Sequence, residues 1–171
     1  FSDKDYLEKG NFIKWNPAVK TAADRDGIWE GVLSNAIDVI ATDHAPHTLE
    51  EKQGKYFQAP SGGPLAQHAL LAMFEKAKEG RITKERVVEK MAHAVATLFA
   101  IEERGYIREG YFADLAIFNP DTIQDHATFA EPHHYSTGMV HVFVNGIQVL
   151  KDGKHTGALP GRIVRGPGWI N

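Results

Sequence analysis

The sequence predicts an α/β fold for about its first hundred residues and a smaller all-β segment after them. A short apolar run, Ile37–Thr42, is rich in β-branched residues and is typical of a strand buried on both faces. Apolar residues recur at helical spacing over 65–79 and 84–101. Beyond Arg104, turn-forming pairs that contain Gly, Pro or Asn interrupt short β-type runs.

Composition and charge are those of an ordinary globular protein. The 171 residues suffice for one sizeable core, and the formal net charge of -3 argues against a nucleic acid or an anionic membrane as partner. No apolar run approaches the roughly 20 residues needed to cross a bilayer. Cysteine is absent, which removes disulfides, thiolate metal sites and cysteine nucleophiles. We expect a cytoplasmic protein and, because the first residue is Phe1 rather than Met, part of a longer chain.

The first predicted elements follow in the order strand, helix, strand. Asn11–Trp15 is a short strand candidate that ends at the turn signal Asn16-Pro17. Residues 24–36 show helical spacing, with Asp24 as the candidate N-cap. Ile37–Thr42 then forms the second predicted strand.

One carboxylate and two imidazoles follow directly after that second strand. Pro46 cannot donate to a ladder, so the strand should end near Asp43, with His44 and His47 just beyond it. Sites in barrels and open α/β folds are built at this end of buried strands. Carboxylate and imidazole groups bind zinc-like metals and act as general acids and bases. The alternative is a plain polar turn in which Asp43 caps the chain and both histidines face solvent.

Three other stretches could contribute to a site at the same end. Asn16 lies just past the first predicted strand, where an Asx turn on its own backbone is the alternative role. Residues 48–59 predict a mobile polar loop, long enough to cover a site. Gly62 and Gly63 free the backbone to approach a ligand closely, although the same pattern can simply lead into helix 65–79.

Two helices complete the α/β part. They are predicted over 65–79 and 84–101, and Thr83 is the candidate cap of the second. His68 and His93 lie on these helices. We interpret His68 as a packed or half-exposed side chain and His93 as a structural one, rather than as ligands.

The remaining residues predict an antiparallel segment. Ala113–Asn119 reads as one strand. Val140–Val144 and Ile147–Leu150 flank Asn145-Gly146, the strongest short hairpin signal that a sequence offers. The adjacent His133-His134 are interpreted as surface or loop residues.

Several short segments, spread over nearly all of the chain, match the motifs of one family. They are Lys14–Lys20, Asp38–His47, Glu51-Lys52, Ala59–Gly62, Ile107–Gly110, Ala113–Pro120, Val144–Gly146 and Pro160–Arg162. This set resembles the C-terminal half of the dihydroorotases, which belong to the amidohydrolase superfamily. The Asp-His-Ala-Pro-His of residues 43–47 is a specific element, because hydantoinases and allantoinases keep the Asp-His but usually not all five residues.

The resemblance implies a particular architecture. Residues 1–103 would be the C-terminal part of a (β/α)₈ TIM-type barrel, and residues 104–171 would contribute strands to a small β-sandwich. Asn11–Trp15 would be barrel strand seven and Ile37–Thr42 strand eight. One or two zinc ions would lie at the C-terminal mouth of the barrel.

The resemblance also implies roles for particular residues. Asp43 matches the family's metal ligand, which also shuttles the catalytic proton. His44 matches a residue that is not a ligand, in contrast to the three-residue cluster considered above. The matches to substrate-binding residues are Asn16, His47, Ser61 and Gly62.

The implied activity is the interconversion of N-carbamoyl-L-aspartate and L-dihydroorotate in de novo pyrimidine biosynthesis. Its implied partners are a small-molecule substrate and the N-terminal half of the barrel, with a homodimer left open. That half would supply the other zinc ligands, because no His-x-His occurs here. The alternatives are a hydantoinase- or allantoinase-type amidohydrolase and a non-catalytic, dihydroorotase-like scaffold.

Overall fold

Helices make up most of the regular structure in the first hundred residues of the computed structural model, which describes residues 1–128, 131 and 134–169. Single 3₁₀ turns occur at Asp3–Asp5 and Gly10–Ile13. A π-helical segment, Glu89–His93, joins the last two α-helices into one run. The α-helices are α1 (Tyr6–Lys9), α2 (Ala22–Leu33), α3 (Leu49–Lys52), α4 (Ala69–Lys78), α5 (Lys84–Val88) and α6 (Ala94–Leu98).

Helix α2 begins earlier than predicted, because Thr21 rather than Asp24 is its N-cap. Thr21 Oγ1 accepts from the Asp24 N–H at 3.3 Å, and the Asp24 carboxylate accepts from the Thr21 N–H at 3.0 Å. This reciprocal pair is a capping box. The bonds from Thr21 hold the pKa of Asp24 below its usual 3.8. The predicted cap, Asp24, is instead the third residue of the helix, so the true cap lies three residues earlier.

The first predicted strand is wrong. Where Asn11–Trp15 was expected to be extended, Gly10–Ile13 forms a 3₁₀ turn, and the Lys14 N–H donates back to the Asn11 carbonyl at 3.0 Å. These backbone groups are therefore bonded locally. A strand needs a neighbour whose backbone groups face it, and the described residues provide none here.

The second predicted strand, Ile37–Thr42, is also absent from the sheet of the described residues. The Ile40 N–H donates to the Lys90 carbonyl at 3.1 Å, so this segment bonds to a helix instead. The buried Lys90 ammonium donates to the Ile37 carbonyl at 2.6 Å. The only strand-like contact nearby, within the described part of the chain, is a parallel bridge between His44 and Gly63.

The two long helical predictions are confirmed in type and approximate position. Helix α4 lies within 65–79, and Gly80 follows it with a φ of +76°. Thr83 Oγ1 caps α5 by accepting from the Arg86 N–H at 3.1 Å. The run from α5 to α6 ends at Leu98 rather than at residue 101.

The second part of the chain forms an antiparallel sheet. Its strands are β1 (Leu115–Phe118), β2 (Met139–Val144), β3 (Ile147–Lys151) and β4 (Lys154–His155), paired in that order. The predicted hairpin is confirmed, since Asn145 and Gly146 have φ values of 50° and 80° between β2 and β3. His134 lies in a loop as predicted, whereas His133 lies outside the described residues.

One hydrophobic core joins the helices to the sheet. Phe74 on α4 is 4% exposed and meets Phe118 on β1 edge to face, with ring centroids 4.8 Å apart. Val87 on α5 and Ile123, just after β1, are fully buried in the same cluster. Residues beyond 103 therefore pack directly on the helices before them. In the described ranges, no helix has the length and apolar character to span a bilayer.

Candidate active site

Asp43 stands at the end of the Ile37–Thr42 segment in an unusual backbone conformation. Its φ of 46° lies in the left-handed region, which Asp tolerates better than most residues do. The side chain is exposed, and no group among the described residues binds its carboxylate. Its oxygens are therefore open to a ligand from outside this chain.

The His44 ring is hydrogen-bonded to the backbone just before α4. Its Nδ1 accepts from the N–H groups of Leu65 and Ala66, both at 3.0 Å. An acceptor nitrogen carries no proton, so these bonds fix the tautomer of the ring. His44 thus holds backbone rather than joining Asp43 in a cluster. Across the described residues, no three His, Asp or Glu side chains are grouped so that they could hold a metal ion.

His47 contacts the backbone of one of the other predicted site residues. Its Nε2 lies 3.0 Å from the Ser61 carbonyl oxygen, so Nε2 must be the protonated nitrogen, because a carbonyl only accepts. The other ring nitrogen, Nδ1, is 3.7 Å from Glu51 Oε2. That carboxylate is itself fixed by accepting from the Thr48 N–H at 2.8 Å, in the capping box of α3.

Gly62 occupies a position that only glycine can fill without strain. Its φ is 115°, and an added Cβ would lie 2.5 Å from the Cβ of Ala45 and 2.9 Å from its carbonyl oxygen. The Gly62 N–H donates to the Lys14 carbonyl at 3.0 Å. The next residue, Gly63, accepts from the Ala45 N–H at 3.1 Å. The glycines thus bring the backbone after Asp43 against the backbone of Ser61–Gly63.

Asn16 is exposed, and the Asx turn considered from the sequence does not form. The side-chain amide makes no hydrogen bond to any described residue. The structure therefore joins His47, Ser61 and Gly62 through hydrogen bonds and backbone contact. No such bond links Asn16 or Asp43 to this group within the described ranges.

The loop of residues 48–59 is held by two lysines, Lys52 and Lys14, to which the sequence analysis assigned no role. Lys52 ends α3 and is buried, and its Nζ donates to the carbonyls of Gly62 at 2.9 Å and Pro60 at 3.1 Å. Lys14 Nζ donates to the Tyr56 carbonyl at 2.7 Å. The predicted mobile loop thus contains a capped helical turn and several bonds to its neighbours. The Thr48-x-x-Glu51 spacing was the signal that could have revealed the helical turn.

A cleft of about 490 Å³ lies beside these residues. Its walls are mainly apolar, and His47, Lys52, His68 and Asp125 supply polar groups. His68 is buried, and its Nδ1 lies 2.8 Å from Asp125 Oδ1. His68 thus has the packed role, one of the two that the sequence left open. An apolar cleft with a few polar groups is the usual form of a small-molecule site.

Comparison with known proteins supports the resemblance. No protein-family model matches the chain. The dihydroorotase of Halobacterium salinarum is 36% identical over 126 residues, which are 73% of this chain and 30% of that protein. The chain thus spans about 30% of the length of the curated relatives it matches.

Two solved structures extend the comparison. L-hydantoinase (dihydropyrimidinase) from Arthrobacter aurescens matches with a TM-score of 0.79 and 25% identity, over 91% of this chain and 38% of that one. D-aminoacylase, reported to define a subset of the amidohydrolases, matches with a TM-score of 0.54 and 35% identity. That match covers 56% of this chain and 21% of D-aminoacylase, whose binuclear metal centre has been the subject of a structural study.

The structural neighbours define the class, since the chain shares its mixed α/β content and small antiparallel sheet with amidohydrolase enzymes. Within that class, the sequence relatives are more specific. The chain is a homologue of the dihydroorotases over about 70% of its residues.

Proposed function

We propose that this chain is the C-terminal part of a dihydroorotase that hydrolyses a cyclic amide. In this proposal residues 1–103 belong to a (β/α)₈ barrel and residues 104–171 to a small β-sandwich. The rest of the barrel would come from an N-terminal part, in the same polypeptide or in a second chain. The segment Ile37–Thr42 supports this arrangement, because it pairs with no strand among the described residues and a parallel strand needs neighbouring strands.

Asp43 is the proposed metal ligand of this chain. Its carboxylate is exposed and has no partner among the described residues, so both oxygens are available to coordinate a cation. A zinc site takes three or four protein ligands, so the described residues do not form one by themselves. The binuclear metal centre of D-aminoacylase supports metal dependence, and we propose one or two zinc ions. Bound zinc would supply hydroxide from water near neutral pH.

The chain's own residues would bind the substrate and move a proton. Asp43 can accept a proton from the attacking water and return it to the departing ring nitrogen. The Asn16 amide can donate to the substrate's carboxylate, and the His47 Nε2–H, which donates to the Ser61 carbonyl in this structure, would do so by exchanging that bond for one to the substrate. The Ser61 carbonyl keeps a second lone pair beside the His47 bond and can accept from the N–H of the substrate ring, and the Gly62 N–H would donate to the ring carbonyl in place of its bond to the Lys14 carbonyl. Together these backbone groups complement an amide of the substrate ring.

Homology to the dihydroorotases is the observation that carries this proposal, and the full-length protein provides its test. We expect turnover of L-dihydroorotate and stoichiometric zinc. Asp43→Ala should abolish turnover while the circular dichroism spectrum is kept. Asp38→Ala is the matched control, because Asp38 is an exposed carboxylate just upstream in the same segment. Wild-type kcat in Asp43→Ala would contradict the role given to this carboxylate.

The likeness to L-hydantoinase favours a second candidate function, hydrolysis of a hydantoin or of allantoin. Hydrolysis of hydantoin or allantoin, without hydrolysis of L-dihydroorotate, would favour this second function. A non-catalytic scaffold would carry no stoichiometric zinc and turn over none of these compounds. The cytoplasmic location and the homodimer stay predictions.

A further inference from the structure

Lys52 is a buried lysine whose hydrogen bonds, among the described residues, all go to backbone carbonyls. The residue is 6% exposed, and its Nζ donates to the carbonyls of Gly62 at 2.9 Å, Pro60 at 3.1 Å and Lys14 at 3.5 Å. An ammonium has three hydrogens, and these three carbonyls take all of them. In the described part of the chain, no carboxylate pairs with it.

This arrangement is costly for the folded protein. Burial lowers the pKa of Lys52 below its ordinary 10.5, and the charge of the nearby Lys14 lowers it further. An apolar side chain of the same length would fill the space without that desolvation cost. The ammonium therefore contributes something that apolar packing cannot, namely a fixed direction for the carbonyls around it.

The fixed carbonyls lie on both sides of Ser61. Because a trans peptide directs its N–H opposite to its C=O, holding the Pro60 carbonyl turns the Ser61 N–H away from Lys52. Holding the Gly62 carbonyl sets the following peptide in the same way. Between them, the Ser61 carbonyl faces His47 Nε2 at 3.0 Å.

We infer that Lys52 is a positioning residue for substrate binding, which holds the Pro60–Gly62 backbone so that Ser61 and His47 face the ligand. This inference rests on the proposed function, in which those residues contact the substrate. Lys14 supports the other side of the loop. Its Nζ donates to the Tyr56 and Ala59 carbonyls and lies 4.8 Å from the centre of the Tyr56 ring.

Lys52→Met in the full-length protein tests the inference, and Lys55→Met is the matched control because Lys55 is exposed on the same loop. We expect Lys52→Met to raise KM for L-dihydroorotate by about tenfold or more, since small displacements of binding groups have large effects. kcat should change less, because Lys52 touches no reacting atom. Lys52→Arg keeps the charge and should restore part of the affinity. Without substrate, amide hydrogen exchange at 61–63 should become faster in Lys52→Met only.

An unchanged KM together with unchanged exchange at 61–63 in Lys52→Met would overturn the inference. If Lys52→Met does not fold, a pH titration of the wild-type protein followed by NMR tests the inference instead. The Lys52 Cε and Gly62 carbonyl signals should shift with one midpoint below pH 10.5, because a neutral amine cannot bond three carbonyls. Separate midpoints would overturn the inference. Exchange and titration need no turnover, so lack of activity on L-dihydroorotate would reject only the proposed function.

Discussion

At the scale of single residues, Gly62 and His44 determine how closely the backbone after Asp43 approaches the segment at 61–66. Gly62 permits contact with Ala45 through its missing Cβ and its positive φ. His44 bonds the N–H groups of Leu65 and Ala66, which would otherwise lack acceptors before α4. Neither contact can be predicted from the hydrophobic periodicity of the sequence, because both depend on which distant segments pack together.

Gly62→Ala should lower the free energy of unfolding by about 3 kcal/mol, through backbone strain and overpacking against Ala45. Gly54→Ala is the control, because Gly54 also has a positive φ, 97°, but has nothing within 4 Å of an added Cβ. It should cost only about 1 kcal/mol of strain. Urea denaturation measures both values. Equal losses would show that the contact with Ala45 is unimportant.

His44→Ala should destabilise the chain by about 1–2 kcal/mol, because two backbone N–H groups lose their acceptor. His44→Asn places an amide oxygen near the position of Nδ1 and should recover part of the loss. Thermal unfolding of the three proteins tests this expectation. Unchanged stability in His44→Ala would mean that solvent satisfies the N–H groups of Leu65 and Ala66 equally well.

At the scale of elements, capping explains where helices begin. Thr21, Thr48 and Thr83 each start a helix by accepting from a backbone N–H three residues on. The cap at Thr83 was predicted from the sequence, whereas the shift from Asp24 to Thr21 was not. Both residue types are good caps, so composition alone did not decide between them.

Thr83→Ala should reduce the free energy of unfolding by about 1 kcal/mol, since the Arg86 N–H loses its acceptor at the start of α5. Thr83→Ser keeps the hydroxyl and should stay close to wild type. Chemical denaturation followed by circular dichroism measures the difference. A Ser variant as unstable as the Ala variant would point to the lost methyl group instead of the cap.

At the scale of the whole molecule, the helical part and the sheet share one core. Phe74 and Phe118 meet across the boundary proposed at residue 103, and Ile123 is buried among the same helices. Residues 104–171 are therefore not expected to unfold independently of the helices.

A double-mutant cycle on Phe74 and Phe118 tests that coupling. The single substitutions Phe74→Leu and Phe118→Leu should be non-additive by about 1 kcal/mol, as edge-to-face pairs are. Ile117, which precedes Phe118 on β1, is 45% exposed and provides the control pair with Phe74. The losses in unfolding free energy caused by Ile117→Ala and Phe74→Leu should be additive. Additive losses for the two phenylalanines would mean that the sheet and helices are energetically separate.

The isolated 171-residue chain should bind zinc no more tightly than its Asp43→Ala variant, because one carboxylate is no chelating site. Isothermal titration calorimetry of both proteins measures this. The full-length protein should bind zinc tightly and lose affinity in Asp43→Ala. Tight, Asp43-dependent binding by the isolated chain would contradict the proposal that the other ligands lie elsewhere.

The sequence by itself determined the elements whose bonds are local. Helical spacing located α4 and the α5–α6 run, and Asn145-Gly146 specified the hairpin, because helices and tight turns satisfy their backbone groups within a few residues. It also carried the motif at residues 43–47 that pointed to the dihydroorotases. Only the tertiary structure decided the rest. The predicted strands at 11–15 and 37–42 lack partners here, because a strand depends on what lies beside it. Likewise, the contacts of Lys52 and His44 with backbone distant in sequence arise from the packing of segments that no local pattern specifies.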